Sequence, residues 1–114
     1  MPDSTSTGAK GRTGEDRAAA FLQDRGYTVV ARNVRVPGGE IDAVCLDGST
    51  LVIVEVKRRD SARFGSALAV GARKRATLRR IAADYAQIVA PSAKIRFGVV
   101  AVNGDRLILH RNAF

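Results

Sequence analysis

Apolar and polar residues alternate along two short segments that flank an Asp-Gly turn. The segments span residues 40–46 and 50–57, and both are rich in β-branched and apolar residues, which predicts a β-hairpin. A two-residue turn at Asp47-Gly48 places Asp42 and Glu55 as diagonal neighbours on one face of this hairpin. A three-residue turn would move Asp42 to the other face. The grouping of the two acids therefore depends on the length of the turn.

The polar face of the predicted hairpin carries Glu40, Asp42, Glu55 and Lys57, because side chains of a strand alternate between its two faces. Three carboxylates repel one another unless cations compensate them, and oxygen ligands suit Mg²⁺ or Mn²⁺. Glu55 also interrupts the apolar run at residues 51–56, which is typical of a buried strand, where an unpaired charge is costly. The pattern favours a metal site formed by Asp42 and Glu55, with Glu40 as a candidate further ligand whose place beside the turn at residues 37–39 slightly favours a structural role. The alternatives are acids that face solvent, one of them paired with Lys57, and a Glu40 that only begins its strand.

Two further segments have the periodicity of amphipathic helices. The first starts after the N-cap residue Thr13 and ends at Gly26, and the second spans residues 71–89. A second hairpin covers residues 94–110, with a type I′ turn predicted at Asn103-Gly104. The predicted element order is α-β-β-β-α-β-β, and the helix between the third and fourth strands allows a parallel, right-handed crossover.

Positive charge dominates the chain and favours a polyanionic partner. The formal net charge is +8 and the pI is about 10.8 over 114 residues. Residues 1–13 read as a disordered basic tail that precedes a single domain at residues 14–114. Basic residues are concentrated after the third strand and on the second helix, and both groups are candidates for contact with phosphates: Lys57, Arg58, Arg59 and Arg63, then Arg73, Lys74, Arg75, Arg79 and Arg80.

Several function classes are disfavoured by composition. The only cysteine, Cys45, alternates with apolar residues and is interpreted as a core residue, and the only histidine, His110, as a structural residue of the last strand. Gly-rich nucleotide-binding loops and membrane-length apolar runs are not found in the sequence, which predicts a soluble, cytoplasmic protein without a nucleotide cofactor. The low aromatic content of 5% disfavours a base-stacking surface.

A succession of short motifs resembles the YraN-like family of small bacterial proteins over roughly residues 13–114. These motifs are Gly14-Glu15, Gly39-Glu40-Ile41-Asp42, Val54-Glu55-Val56-Lys57, Phe64-Gly65, Lys74, Arg96-Phe97 and Asn112-Ala113-Phe114. The family is grouped with the PD-(D/E)xK restriction-endonuclease-like superfamily, close to the archaeal Holliday junction resolvases. The resemblance implies an α/β fold with a restriction-endonuclease-like core, in which a mixed five-stranded sheet is flanked by helices.

The same resemblance implies a metal-dependent endonuclease that acts on DNA, including branched or junction DNA. By position, Asp42 and Glu55 match the metal-binding acids, Lys57 the lysine that orients the attacking water, and Glu15 a glutamate that completes the site. Lys74 is expected near the scissile phosphate. Glu15 also has a simpler explanation, because an acid in the first turn of a helix is favoured by the helix dipole. The resolvase likeness leaves a homodimer open.

One departure from the family pattern motivates a second function. Family members usually carry an acid in the fourth strand where this chain has Gly98. If that acid belongs to the site, the chain is a nucleic-acid-binding module on a nuclease scaffold that no longer cleaves. A third interpretation makes the basic surface an adaptor for an acidic protein.

Overall fold

The computed structural model describes residues 9–58 and 71–111, with side chains from residue 14 onwards. These residues form two helices and five strands: α1 (Ala9–Asp24), β1 (Thr28–Val36), β2 (Gly39–Asp47), β3 (Thr50–Arg58), α2 (Ala72–Val89), β4 (Ile95–Asn103) and β5 (Arg106–Arg111). The predicted element order is confirmed. The predicted start of the first helix at Thr13 is wrong, because α1 begins at Ala9 and therefore reaches into the segment interpreted as a tail.

The five strands form one mixed sheet in the order β1-β2-β3-β4-β5. The β3–β4 pair is parallel, whereas the other neighbouring pairs are antiparallel hairpins. A parallel pair needs a crossover connection, and α2 lies in the connection between β3 and β4. The α/β fold with a mixed five-stranded sheet agrees with the prediction. No helix in residues 9–58 and 71–111 has the length and hydropathy needed to cross a membrane.

Both predicted hairpins form, but each turn lies one residue later than predicted. In the β2–β3 hairpin, Asp47 pairs with Thr50, so the turn residues are Gly48-Ser49. In the β4–β5 hairpin, Asn103 pairs with Arg106, and the first turn residue is Gly104. Both glycines have a positive φ, 63° and 60°, which suits the first central position of a type II′ turn. The predicted type I′ turn at Asn103-Gly104 is therefore wrong, because glycine occupies the one position that requires a left-handed backbone.

The two helices cover opposite faces of the sheet. On the first face, α1 packs Ala18 and Leu22 against alternate residues of β2, β3 and β4. On the other face, α2 packs its apolar stripe against the intervening residues; the stripe consists of Leu78, Ile81, Ala82 and Ala86. Cys45 is fully buried in the α1 layer, as a core residue should be. The sheet is thus a central layer between the two helices.

The regular alternation of β2 breaks at Asp42. Ile41 packs with the α2 layer, whereas Ala43 packs with the α1 layer, although residues two apart on a regular strand share a face. The register between β2 and β3 ends at the Ala43–Val54 pair. The two strands therefore separate at Asp42, and β3 from Glu55 onwards has no register partner in β2. We call this part of the hairpin its open end.

Candidate active site

Asp42 lies where the β2–β3 ladder stops, and its carboxylate takes the place of a backbone partner. Its Oδ2 atom accepts a hydrogen bond of 2.8 Å from the backbone N–H of Val56. The predicted register, in which Asp42 faces Ile53, does not form, because Ala43 pairs with Val54 and the ladder ends there. The predicted diagonal relation is wrong, because the turn is one residue later. The two carboxylates nevertheless lie together, because the side chain of Asp42 makes a hydrogen bond with Glu55.

Glu55 is the one buried charged residue among those that the structure describes, with 6% of its surface exposed. Its Oε2 atom lies 2.9 Å from the Nζ atom of Lys74. Lys74 is in the first turn of α2, four residues before Leu78, so it continues the helix stripe that faces the sheet. The sequence placed Lys74 near a phosphate and missed its pairing with Glu55. Its position one turn ahead of the apolar stripe was the signal that could have found this contact.

Burial raises the pKa of Asp42 from 3.8 to about 6. The charge of Glu55, a hydrogen bond with Glu55 and the charge of Glu15 act in the same direction, whereas the Val56 N–H opposes them. The hydrogen bond to Glu55 raises the pKa of Lys74, and the charges of Glu55, Asp42 and Glu40 add to this effect against the cost of burial. Lys74 is therefore held in the field of several carboxylates.

The remaining predicted site residues are Glu15, Glu40 and Lys57, which lie on three different elements. Glu15 lies in the second turn of α1 and is close enough for its charge to act on Asp42. Its position beyond the first turn removes the simpler explanation by the helix dipole. Glu40 is exposed at the start of β2, where its charge acts on Lys74. Lys57 is half-buried near the end of β3. Within the described residues the ion pair of Glu55 is made by Lys74 and not by Lys57.

Gly98 lies away from the acid pair. It pairs with Val54, which packs in the α1 layer, whereas Glu55 pairs with Val99 and faces Lys74 of α2. A Cβ atom at position 98 would point at the backbone oxygen of His110, 3.4 Å away. A side chain at this position would therefore stand on the opposite face of the sheet from Glu55.

The donor set at this end suits a hard cation that keeps much of its water. Across residues 9–58 and 71–111, no three or more His, Cys, Asp or Glu side chains are grouped as a ready-made metal site. The fold instead brings together two carboxylates, from Asp42 and Glu55. Mg²⁺ in proteins is commonly held by one or two carboxylates, with water in its other positions. The residues present therefore fit Mg²⁺ or Mn²⁺, with Asp42 and Glu55 as ligands.

The basic residues of α2 spread to both sides of the acid pair. The guanidinium of Arg79 lies 5.4 Å from the ring centroid of Phe97, on β4. Arg80 reaches the β1–β2 turn, where its guanidinium lies against Gly38. Arg73 and Arg75 are exposed in the first turn of α2.

A further predicted phosphate contact, Arg58, lies against Gly14 of α1: a Cβ atom at Gly14 would be only 3.1 Å from its Cδ atom. The predicted contacts at Arg59 and Arg63, and the Phe64-Gly65 motif, lie outside the described residues.

The fold and the site define a small α/β protein with a carboxylate pair at one end of a mixed sheet. The chain belongs to the family described as "Uncharacterised protein family UPF0102", also called the YraN family, whose family model matches residues 14–102. A UPF0102 protein of Shewanella loihica is 44% identical, covering 92% of this chain and 93% of its own length. A UPF0102 protein of Dechloromonas aromatica is 42% identical, covering 95% and 90%. The expected family membership is confirmed.

Proposed function

We propose that this protein is a metal-dependent endonuclease that hydrolyses phosphodiester bonds in DNA. One observation carries the proposal: the fold holds Asp42 beside a buried Glu55 at the open end of β3. Burying a carboxylate and placing a second one next to it is costly in free energy, so such a pair indicates a role in binding a cation. Such a pair does not stabilise an ordinary surface hairpin.

The roles of the residues follow from their positions. Asp42 and Glu55 would hold the cation, and Glu15 and Glu40 add negative charge around it. When bound, Mg²⁺ or Mn²⁺ supplies a Lewis acid and lowers the pKa of a coordinated water. Lys57, on the same strand as Glu55, orients the attacking water or stabilises the charge that develops on the phosphate.

The basic surface supports DNA as the substrate. Arg73, Arg75 and Arg79 project from α2, whose first turn adjoins the acid pair, and the chain as a whole has a net charge of +8. Such a surface attracts the phosphate backbone regardless of base sequence. The resolvase likeness favours branched or four-way-junction DNA as the substrate. We also propose that the protein acts in the cytoplasm.

The test is cleavage of labelled duplex, single-stranded, flap and four-way-junction DNA in Mg²⁺, Mn²⁺ or EDTA. We expect cleavage that requires the metal and falls by at least about 100-fold in Glu55→Gln and Asp42→Asn, because each variant loses an anionic ligand. DNA binding, measured by fluorescence anisotropy in EDTA, should persist in both variants.

Asp84→Asn is the matched control, since Asp84 is an exposed acid on α2 outside the site. It should cleave as the wild type does. Cleavage that survives both site variants, or that persists in EDTA, would show a contaminating or metal-independent activity and overturn the proposal.

A second candidate function is a nucleic-acid-binding module without cleavage. The observation that favours it is the Lys74–Glu55 ion pair, in which a lysine of the chain itself neutralises one of the two acids. Gly98 contributes less to this alternative, because it faces the α1 layer. Binding to the same DNA panel with a steep salt dependence, and no cutting in either metal, would select the binding module.

A further inference from the structure

Lys74 of α2 is paired with the buried carboxylate of Glu55, which is also a proposed ligand of the cation. We propose that Lys74 is an exchangeable counter-ion of Glu55: its ammonium group neutralises Glu55 in the metal-free protein and leaves that carboxylate when a divalent cation binds. The inference rests on the proposed function, because it takes Asp42 and Glu55 as the cation ligands. The inference gives a role to a lysine of α2, outside the Val54-Glu55-Val56-Lys57 motif of β3.

The two partners of this ion pair differ sharply in exposure. The Glu55 side chain is 7% exposed, whereas that of Lys74 is 51% exposed. A buried carboxylate is costly while it is charged and unpaired, whereas an exposed lysine can rotate into water on its flexible stem at little cost. The pair is therefore fixed on the Glu55 side and free to exchange on the Lys74 side.

Helix stability does not explain why a lysine occupies this position. Lys74 is the third residue of α2, where the helix dipole disfavours positive charge, and the first turn contains no acid on the helix itself. The compensation comes from β3 and β2, through Glu55 and the charge of Asp42. The carboxylates therefore compensate the unfavourable position of Lys74 in its helix. When another cation binds them, Lys74 loses its main stabilising contact, the ion pair with Glu55.

A divalent cation bound to Glu55 weakens the contact between the ammonium group of Lys74 and the same carboxylate. The Oε2 atom is already bonded to Lys74, and two cations that share one carboxylate repel each other. The displaced ammonium remains on the exposed side of the site, next to Arg73 and Arg75 in the same helical turn. A phosphate of the nucleic acid is the anion that would receive it there. Cation binding thereby frees a phosphate contact beside the scissile bond.

The experiment measures Mn²⁺ affinity directly, by electron paramagnetic resonance of free Mn²⁺, in the full chain without DNA. Lys74→Met removes the competing ammonium and should bind Mn²⁺ about tenfold more tightly, which corresponds to ~1.4 kcal/mol. Lys94→Met is the matched control: it removes the same charge from an exposed lysine that precedes β4, at the other end of the sheet. Its Mn²⁺ affinity should stay at the wild-type value.

A second readout is thermal unfolding. In EDTA, Lys74→Met should unfold at a lower temperature than Lys94→Met, because Glu55 is left buried without a cation, and saturating Mn²⁺ should remove the difference. Equal or weaker Mn²⁺ binding by Lys74→Met would overturn the inference, even if the wild type cleaves DNA. Tighter binding together with no cleavage by the wild type would keep the inference and remove the nuclease. If neither the wild type nor Lys74→Met binds Mn²⁺, both this inference and the proposed metal-dependent function are wrong.

Discussion

The β2–β3 hairpin carries a charged cluster at each end, and the two clusters are built in opposite ways. At the turn end, Asp47 accepts from Arg96 at 2.8 Å and has Arg111 at 3.8 Å, and Arg96 also donates to the hydroxyl of Tyr27 at 2.8 Å. At the open end, the cluster consists of Asp42, Glu55 and Lys74: Glu55 pairs with Lys74 at 2.9 Å, and Asp42 makes a hydrogen bond with Glu55. The turn-end cluster has more cations than acids, and the open-end cluster has more acids than cations.

The difference separates a structural network from a candidate active site. The turn-end cluster joins β2, β4 and the segment after α1 through hydrogen bonds of Arg96, and β5 through the longer Arg111–Asp47 ion pair, so it stabilises the fold. The open-end cluster keeps Glu55 buried and raises the pKa of Asp42, which costs folding free energy. A protein that retains such a cost at one end of its sheet is expected to use it for binding.

The largest effect that would sharpen this comparison is a pair of stability changes of opposite sign. Arg96→Met should lower the free energy of unfolding by about 1 to 2 kcal/mol, because it breaks two hydrogen bonds, one of them to a partly exposed acid. Asp42→Asn should raise it in EDTA, because Asn keeps an acceptor for the Val56 N–H and removes the buried charge. Urea denaturation measures both. If both variants shift in the same direction, the contrast between the clusters is wrong.

A smaller effect concerns pH. The folded-state pKa of Asp42 is about 6, above its ordinary value of 3.8, so the folded protein binds the proton more tightly than the unfolded chain does. Its stabilising contribution is complete below the ordinary value and is lost as the pH rises to about 6. In EDTA, the melting temperature of the wild type should therefore fall relative to Asp42→Asn across this range. A constant difference between the two proteins would contradict the assignment, and Asp84→Asn, which keeps Asp42, should follow the wild type.

The smallest effect is expected at Gly98. Because this position faces the α1 layer, Gly98→Asp should change Mn²⁺ affinity by no more than about twofold, with the variant first shown to be folded by circular dichroism. A large gain in Mn²⁺ affinity would show that position 98 belongs to the open-end cluster. It would also restore the argument that its glycine weakens the site.

Prediction from sequence was most successful where a periodic pattern met a strong turn signal. The element order and the mixed sheet follow from alternation, from the helical periodicity and from the two turn signals. The turn positions at Gly48 and Gly104 were each placed one residue early. An Asp-Gly or Asn-Gly pair fits both turn types, and only the strand pairing decides which residue is central.

The sequence by itself determined that this chain forms alternating apolar strands, two amphipathic helices and a strongly basic surface, because periodicity and composition are local properties. Only the tertiary structure decided that Asp42 accepts a hydrogen bond from the N–H of Val56 and that Lys74 pairs with Glu55. It also decided that Gly98 lies on the face of the sheet opposite Glu55. These contacts depend on strand register and on how α2 lies over the sheet. Register and helix placement are set by packing between residues that are distant in the chain, and local pattern does not encode them.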